Sequence, residues 1–412
     1  MSGVTLKWRM SPTDLPFADP YIGGLGDGYD PFPGVQSVKY SRGAPNEYGE
    51  FEAGTSEVIV SDPDSDLDIN NPDSRFAAYV QTLTAKPTRC VIEVDDGVST
   101  TVYPLFQHFI DRIPRTQKVG GVWTQRTVEC VDAFALFALA GIKAVSYPSE
   151  STGARFGRVL DDIGWPAGRR DIDTGNATLA AYTNDADSSD KALQHLLAVI
   201  TNEDGAGFMA ADGTARFIER HAFITNTTVQ AVFADDRALD TGSYPTAFRY
   251  VELQPEDTEI FNDYTGSRDG GSVLTATDAT SQSTYGPRSA SPITFLVNTD
   301  AQVQDALDWR LSRTKDMHER VDSLTIMPGD DLDLWATVLS LEIGDRIEVV
   351  EYPSGYTAPV STPYIIRHLE GDIPLAIGGS TFTFQLTPAS IDNWLILDDA
   401  TFGQLDANKL AY

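Results

Sequence analysis

Basic residues are scarce in this chain. Lysine and arginine number 30 against 60 aspartates and glutamates, a formal net charge of −30. General binding to nucleic-acid phosphates relies on lysine and arginine to release counterions, so this balance argues against it. The same charge favours solubility and repulsion between copies. Cysteine is almost missing too, with Cys90 and Cys130 the two present. A secreted disulfide scaffold carries more in a shorter chain, so two reduced thiols in strands are expected. Long apolar runs are also lacking. The longest, VDAFALFALAGI at 131–142, has 12 residues, too few to span a bilayer. The opening MSGVTLKWRMSPTDLP has no basic start followed by an apolar run. No signal peptide or membrane anchor is therefore expected, and a soluble protein made in a cytoplasm is.

The motifs of common chemistries are missing as well. The five histidines are His108, His195, His221, His318 and His368. No two stand at helical ligand spacing and HExxH is absent, so a zincin-like peptidase has no support. Each is expected at a surface or an interface. Neither cysteine sits in a CxxC, and GxSxG and GxxxxGK[ST] do not occur. IGGLGDG at 22–28 follows no strand signal and opens no helix, which makes a nucleotide loop a weak reading. With 60 acidic residues, carboxylate pairs must exist somewhere, but nothing singles one out. The acidic run DPDSDLDINNPDSR at 62–75 fails as an EF-hand. From Asp62, the sixth and twelfth positions hold Leu67 and Asp73 where glycine and glutamate are needed. It reads instead as a strand exit whose aspartates bond their own backbone. No catalytic, cofactor-binding or metal-ligating residue is nominated, no cofactor is expected, and the chain is read as a non-enzyme.

What is present is a β-rich layout. The 412 residues, 41% of them hydrophobic, suffice for two to three domains with a real core. Residues 1–36 are rich in Pro, Gly and Asp and read as an extended arm. Residues 37–130 carry short β-rich runs, with a hairpin turn at Asp95-Asp96-Gly97. Residues 131–225 change character. An apolar helix is expected at 132–142, an amphipathic one through Phe156, Val159, Leu160 and Ile163, and another through Ala192, Leu193, Leu196, Leu197 and Ile200. Asp187 and Ser188 are candidate caps for the last. A hairpin is expected at Asp212-Gly213. Residues 226–397 read as β again, with a hairpin around 268–271 and one helix at about 300–316 capped by Thr299. Residues 398–412 form a tail.

Several of these segments resemble the tail-tip hub and minor tail proteins of long-tailed, siphovirus-like phages, particularly those infecting actinobacteria. GEFEAGTSEVIVSDPDSDLDINNPDSRFAAYVQTLTAKPTRCVIEV is similar to the start of such proteins. ESTGARFGRVLDDIGWPAGRRDIDTG, with Gly164-Trp165-Pro166 and then Arg170-Asp171-Ile172-Asp173, is the most distinctive. ADGTARFIER is similar to a DG-x-x-x-F-x-R pattern through Asp212, Gly213, Phe217 and Arg220. SQSTYGPRS, LEIGDRIEV and ATFGQLDANKLAY follow in the family's order. VYPLFQHFIDRIPR departs from it, with Gln107-His108 where a glycine is usual. The resemblance covers roughly 37–412.

It implies a β-rich α+β fold: two tail-tube-like β-barrel domains (37–130 and 226–397) with an inserted α/β domain (131–225). It implies a virion structural protein of the tail tip, a homotrimer assembled in the host cytoplasm. Such a baseplate hub forms a ring around the DNA channel and joins the tail tube to the tape-measure protein and to distal minor tail or fibre proteins. DNA would pass through the lumen without specific binding, along an acidic or neutral wall. The alternatives are a tail-associated cell-wall hydrolase, for which no acid/base constellation is visible, and a receptor- or carbohydrate-binding tail protein. The latter would use exposed aromatics among the six tryptophans (Trp8, Trp123, Trp165, Trp309, Trp335 and Trp394). Trp165 and Trp309 are expected in core or interface packing.

Overall fold

A computed structural model describes residues 3–11, 32, 34–44, 52–68, 70–74, 86–114, 125–235, 250–254, 260–316, 320–352 and 354–389. Its frame is one mainly antiparallel sheet of 12 strands. Six come from the first part of the chain: β1 (Gly3–Met10), β2 (Val35–Gly43), β3 (Glu52–Ser61), β4 (Pro87–Asp95), β5 (Thr100–Arg112) and β6 (Gln125–Val131). Six come from the last: β7 (Val229–Ala234), β8 (Tyr250–Gln254), β9 (Arg320–Ile326), β10 (Arg346–Glu351), β11 (Val360–Pro374) and β12 (Thr381–Pro388). The pairing order is β1-β4-β5-β6-β3-β2-β11-β12-β9-β8, with β10 on β11 and β7 parallel on β10. The β-rich α+β expectation is met. Two separate closed barrels are not seen: among the described residues no pairing closes the path, and the two β blocks share a single sheet.

The joint between the blocks is β11. One edge of this 15-residue strand pairs with β12. The other is divided, with Val360–Ile365 on β10 and His368–Pro374 on β2. The division falls at Arg367, where the β12 register also shifts. β2 ends there at Gly43, whose φ is +108°, and a Cβ on it would lie 2.3 Å from the Arg367 carbonyl oxygen. Only glycine fits that approach.

Period-two alternation places the core on one side of this sheet. On β12, Phe382, Phe384 and Leu386 are buried while Thr381, Thr383 and Gln385 are half-buried. β2 does the same, with Val38, Tyr40 and Arg42 buried and Ser37 and Ser41 half-exposed. The core face is covered from two directions. Phe106 of β5 folds over β2 and meets Tyr40 at 5.9 Å between ring centroids. Helix Leu332–Ser340 lays Trp335 edge-on against Phe382 at 5.5 Å. Each fully buried aromatic of this kind contributes a large apolar area.

Between β6 and β7 the chain builds an α/β lobe from α1 (Ala133–Phe137), α2 (Thr152–Asp162), α3 (Ala192–Glu203) and α4 (Ala222–Thr225). Strands 206–209 and 215–218 form the expected hairpin, with Gly213 at φ +83°. A second excursion carries α5 (Ala279–Tyr285) and α6 (Asp300–Thr314) on a three-stranded sheet of 263–268, 274–277 and 293–295. α7 is the Leu332–Ser340 helix. Residues 260–316, expected within the second β segment, also bond the first lobe: Ala180 N–H donates to the Leu296 carbonyl at 2.7 Å and Leu296 N–H to Asn202 Oδ1 at 2.7 Å.

Several local expectations change. The helix expected at 132–142 is short: α1 spans five residues, and Leu139 beyond it is 74% exposed. The chain must turn there to bridge Gly141 to Lys191. Lys191, not Asp187 or Ser188, is the cap residue of α3. The segment 226–397 holds α5 and α7 besides the expected helix. α6 keeps its predicted cap, Thr299 Oγ1 accepting from Gln302 N–H at 3.3 Å.

Candidate functional site

The solvent side of the joined sheet is an ordered polar surface. Its central rows can be read across the register. One runs Glu129–Glu57–Lys39–Asp372–Thr381 over β6, β3, β2, β11 and β12. The next runs Val131–Thr55–Ser41–Glu370–Thr383–Thr325, reaching β9. Six strands at the usual spacing span about 24 Å. A groove of about 770 Å³ opens over these rows, and Asp111 and Arg112 stand beside it. Among its lining residues five carboxylates (Glu57, Asp111, Glu129, Glu370, Asp372) face two cations, Lys39 and Arg112. Lys39 Nζ sits 3.0 Å from Asp372 Oδ2, and Arg112 Nε 2.5 Å from Glu129 Oε2. The hydrogen bond that Lys39 donates to Asp372, then the charge of Asp372, raises the Lys39 pKa. Glu57 and Glu129 stand directly opposite each other, a pairing that strand energetics disfavour.

Beneath this face lies a buried polar node. Arg42 Nη1 donates to Glu342 Oε1 at 2.9 Å, Glu342 Oε2 at 3.1 Å and the Met209 carbonyl at 3.3 Å. Glu342 Oε2 also accepts from Ala211 N–H at 2.9 Å. One ion pair thus ties the first β block, the α/β lobe and the second β block. Nearby, Asp132 Oδ1 caps α1 by accepting from Phe134 N–H at 2.8 Å, and Oδ2 accepts from Gly54 N–H at 2.7 Å. Burial raises the Asp132 pKa to about 7, against the pull of those N–H groups and Arg42.

The acidic run folds as a bend. Asp62 Oδ1 accepts from Asp66 N–H at 2.7 Å and Oδ2 from Leu67 N–H at 3.1 Å, while Arg126 Nη2 pairs with Asp68 Oδ2 at 2.9 Å. Its carboxylates therefore bond backbone and arginine, as the strand-exit reading expects. Among the described residues no group of three or more His, Cys, Asp or Glu is placed to hold a metal. Two histidines differ from expectation. His108 is 1% and His368 7% exposed: His108 stacks on Phe106 at 4.6 Å on the inward side of β5, whereas His368 shares the Ser41 and Glu370 side of β11 and is covered there. His108 Nδ1 contacts Ser56 Oγ at 2.9 Å, and burial pushes its pKa down to about 3. His368 Nε2 lies 3.0 Å from Ser41 Oγ and 3.2 Å from Glu370 Oε1. His318 lies outside the described residues. Cys90 and Cys130 are buried free thiols on β4 and β6. Trp165 is core, 5.1 Å from Phe137 between ring centroids. The node itself was not foreseen, since nothing local in the sequence links Arg42 to Glu342.

No protein-family model matches the sequence, and no curated protein does. Solved structures do match. The tail protein from Neisseria meningitidis MC58 superimposes with a TM-score of 0.57 at 12% identity, covering 94% of this chain and 98% of that one. The 43 kDa tail protein of prophage MuSo2 from Shewanella oneidensis gives 0.56 at 12% identity, covering 94% and 99%. At such identity the likeness is one of fold, and it extends nearly end to end. The chain is structurally similar to phage tail proteins. An actinobacterial host finds no support in these two structures.

Proposed function

We propose that the chain is a structural, non-enzymatic component of a phage tail tip, a baseplate-hub-like or minor tail protein of the virion. The observation that carries this reading is the near end-to-end fold likeness to two tail proteins, one of them from a prophage. In this reading β1–β6 and β7–β12 are the two tube-like units, with β11 fusing them. Three copies close into a ring by head-to-tail contacts. The ring surrounds the DNA channel and joins the tail tube to the tape-measure protein and to distal minor tail or fibre proteins. The polar face of the joined sheet turns toward the lumen. Its carboxylate excess, with Glu57 and Glu129 opposed, repels phosphates where a lysine and arginine lining would hold them.

Immunogold labelling of intact particles tests the placement. Gold at the distal end of the tail is expected. Gold on the capsid or along the shaft, or release of muropeptides from host wall by the purified protein, would overturn the reading.

A further inference from the structure

Positive charge gathers at one place in this acidic molecule, away from the polar face. A cavity of about 330 Å³ opens where α3, α6 and the strands β11 and β12 meet. Among the described residues Arg220, Arg310, Arg313 and Arg367 line it, against one carboxylate, Asp204. Arg310 is committed, its Nη2 lying 2.6 Å from Asp204 Oδ1 and donating to the Thr201 carbonyl at 2.9 Å. Arg313 and Arg367 lie over the rings of Trp309 and Phe223, at 5.7 and 5.1 Å.

Arg220 is different. It is 8% exposed, and its Nε and Nη1 have no hydrogen-bond partner among the described residues. Its guanidinium lies over Trp309 at 5.7 Å, a contact that satisfies charge but no N–H direction. The buried carboxylate of Glu203 is occupied by Thr152 Oγ1 at 2.6 Å and by the N–H groups of Asn176 and Ala177 at 3.0 Å. It meets Arg220 only through the backbone N–H, at 3.5 Å. His221, edge-on to Trp309 at 5.3 Å, supplies no anion. A buried guanidinium without an acceptor is costly, and Arg220, unlike a guanidinium sealed in the core, lines a cavity where a ligand can supply one.

The walls decide what kind of anion fits. Ile200, Phe261, Tyr264 and Trp309 line the cavity beside the arginines. A bare inorganic oxyanion would satisfy Arg220 and leave these walls wet. A carboxylate on an apolar body covers both, and the volume suits one or two side chains. We propose that this cavity is a socket for an acidic peptide segment of a docking protein, a carboxylate flanked by apolar side chains, with Arg220 as the anchoring charge. Arg220 is also the last residue of the ADGTARFIER segment. The socket stands whether or not the chain belongs to a tail tip.

The test uses the full chain and three probes: acetyl-Leu-Glu-Phe-amide, its glutamine counterpart and inorganic phosphate. Trp309 fluorescence and calorimetry follow binding. The glutamate peptide should saturate at millimolar concentration and bind about tenfold more tightly than the glutamine peptide, about 1.4 kcal/mol. Arg220→Gln should abolish that difference while circular dichroism stays unchanged. Trp309→Phe should remove the optical signal and leave a calorimetric one. Should Arg220→Gln fail to fold, the contrast between the two peptides on the unaltered chain decides alone. Equal affinity for both peptides, no saturable binding of either, or binding of phosphate alone would overturn the proposal, the last by assigning a free-oxyanion site.

Discussion

Arg42 and Glu342, 300 positions apart in sequence, meet with one guanidinium nitrogen 2.9 and 3.1 Å from the two carboxylate oxygens. Arg42 is 4% exposed at its side chain and Glu342 17%, so neither charge is left to water when its partner is removed. Arg42→Ala or Glu342→Ala should each cost about 3 kcal/mol, the usual loss when one member of a buried pair remains. The double variant should cost clearly less than the sum, because no orphan charge survives. Urea unfolding of the four proteins measures this, and additive losses would show that the pair is not coupled.

Two buried groups near that pair should shape the pH profile in opposite directions. Asp132 has its folded pKa raised from 3.8 to about 7. The folded state then holds more protons than the unfolded one between those values, so its contribution is present below pH 4 and is lost as pH rises through about 7. His108 has its folded pKa lowered from 6.5 to about 3. Here the unfolded state holds more protons, so stability is present above about pH 6.5 and declines as pH falls toward 3. Each slope is bounded by about 1.4 kcal/mol per pH unit. Asp132→Asn should remove the loss on raising pH, leaving a profile that climbs from acid to neutral. His108→Asn, which keeps an acceptor for Ser56, should do the reverse. Melting curves from pH 3 to 8 separate them.

The thiols should be inert in the folded chain. Burial first, then the neighbouring Cys130, raises the Cys90 pKa well above its usual range, and burial raises that of Cys130 to about 12. The thiolate is the reactive form. Iodoacetamide at pH 8 should leave both unmodified and label both in urea. A Cys90–Cys130 linked peptide in fresh, alkylated particles would contradict the reduced state expected of cytoplasmic assembly.

Closure of the sheet joint depends on Gly43. Gly43→Ala places a methyl 2.3 Å from the Arg367 oxygen at a φ of +108°, so both strain and collision oppose it. A loss of about 3 kcal/mol or a failure to fold is expected. Gly97→Ala, at φ +88° with nothing within 4 Å of the added carbon, is the control for φ strain alone and should cost about 1 kcal/mol.

Ring formation is checked by mass. Native mass spectrometry of the isolated protein or of extracted tips should give a multiple of three chains, and a stable dimer in both would refute the trimer.

Local patterns carried much of this fold in the open. The hairpin glycines at 97, 213 and 270 and the Thr299 cap all act over a few residues, and the structure keeps them. α7 was missed although Asp331, which accepts from Asp333 and Leu334 N–H at 3.0 and 3.1 Å, and the buried Trp335, Val338 and Leu339 form a helical signature. Its nine residues lie between strong strand signals, 320–326 and 346–351, which mask so short a helix. α5, from ATSQSTY, has no apolar face to betray it; Asp278 capping Ser281 N–H at 2.8 Å holds its start.

What the sequence determined by itself was the β-rich composition, the order of β block, α/β lobe and β block, and an acidity unsuited to holding phosphates, because propensity, turn chemistry and charge are properties of short stretches. Tertiary structure alone decided that the two β blocks share β11, that 260–316 bonds to the α/β lobe, that His108 and His368 are buried, and that Arg220 faces a cavity with no acceptor for its Nε and Nη1 among the described residues. Each of these rests on contacts between residues tens to hundreds of positions apart, and the cost of closing so long a loop is met only by the whole packed core, which no local pattern encodes.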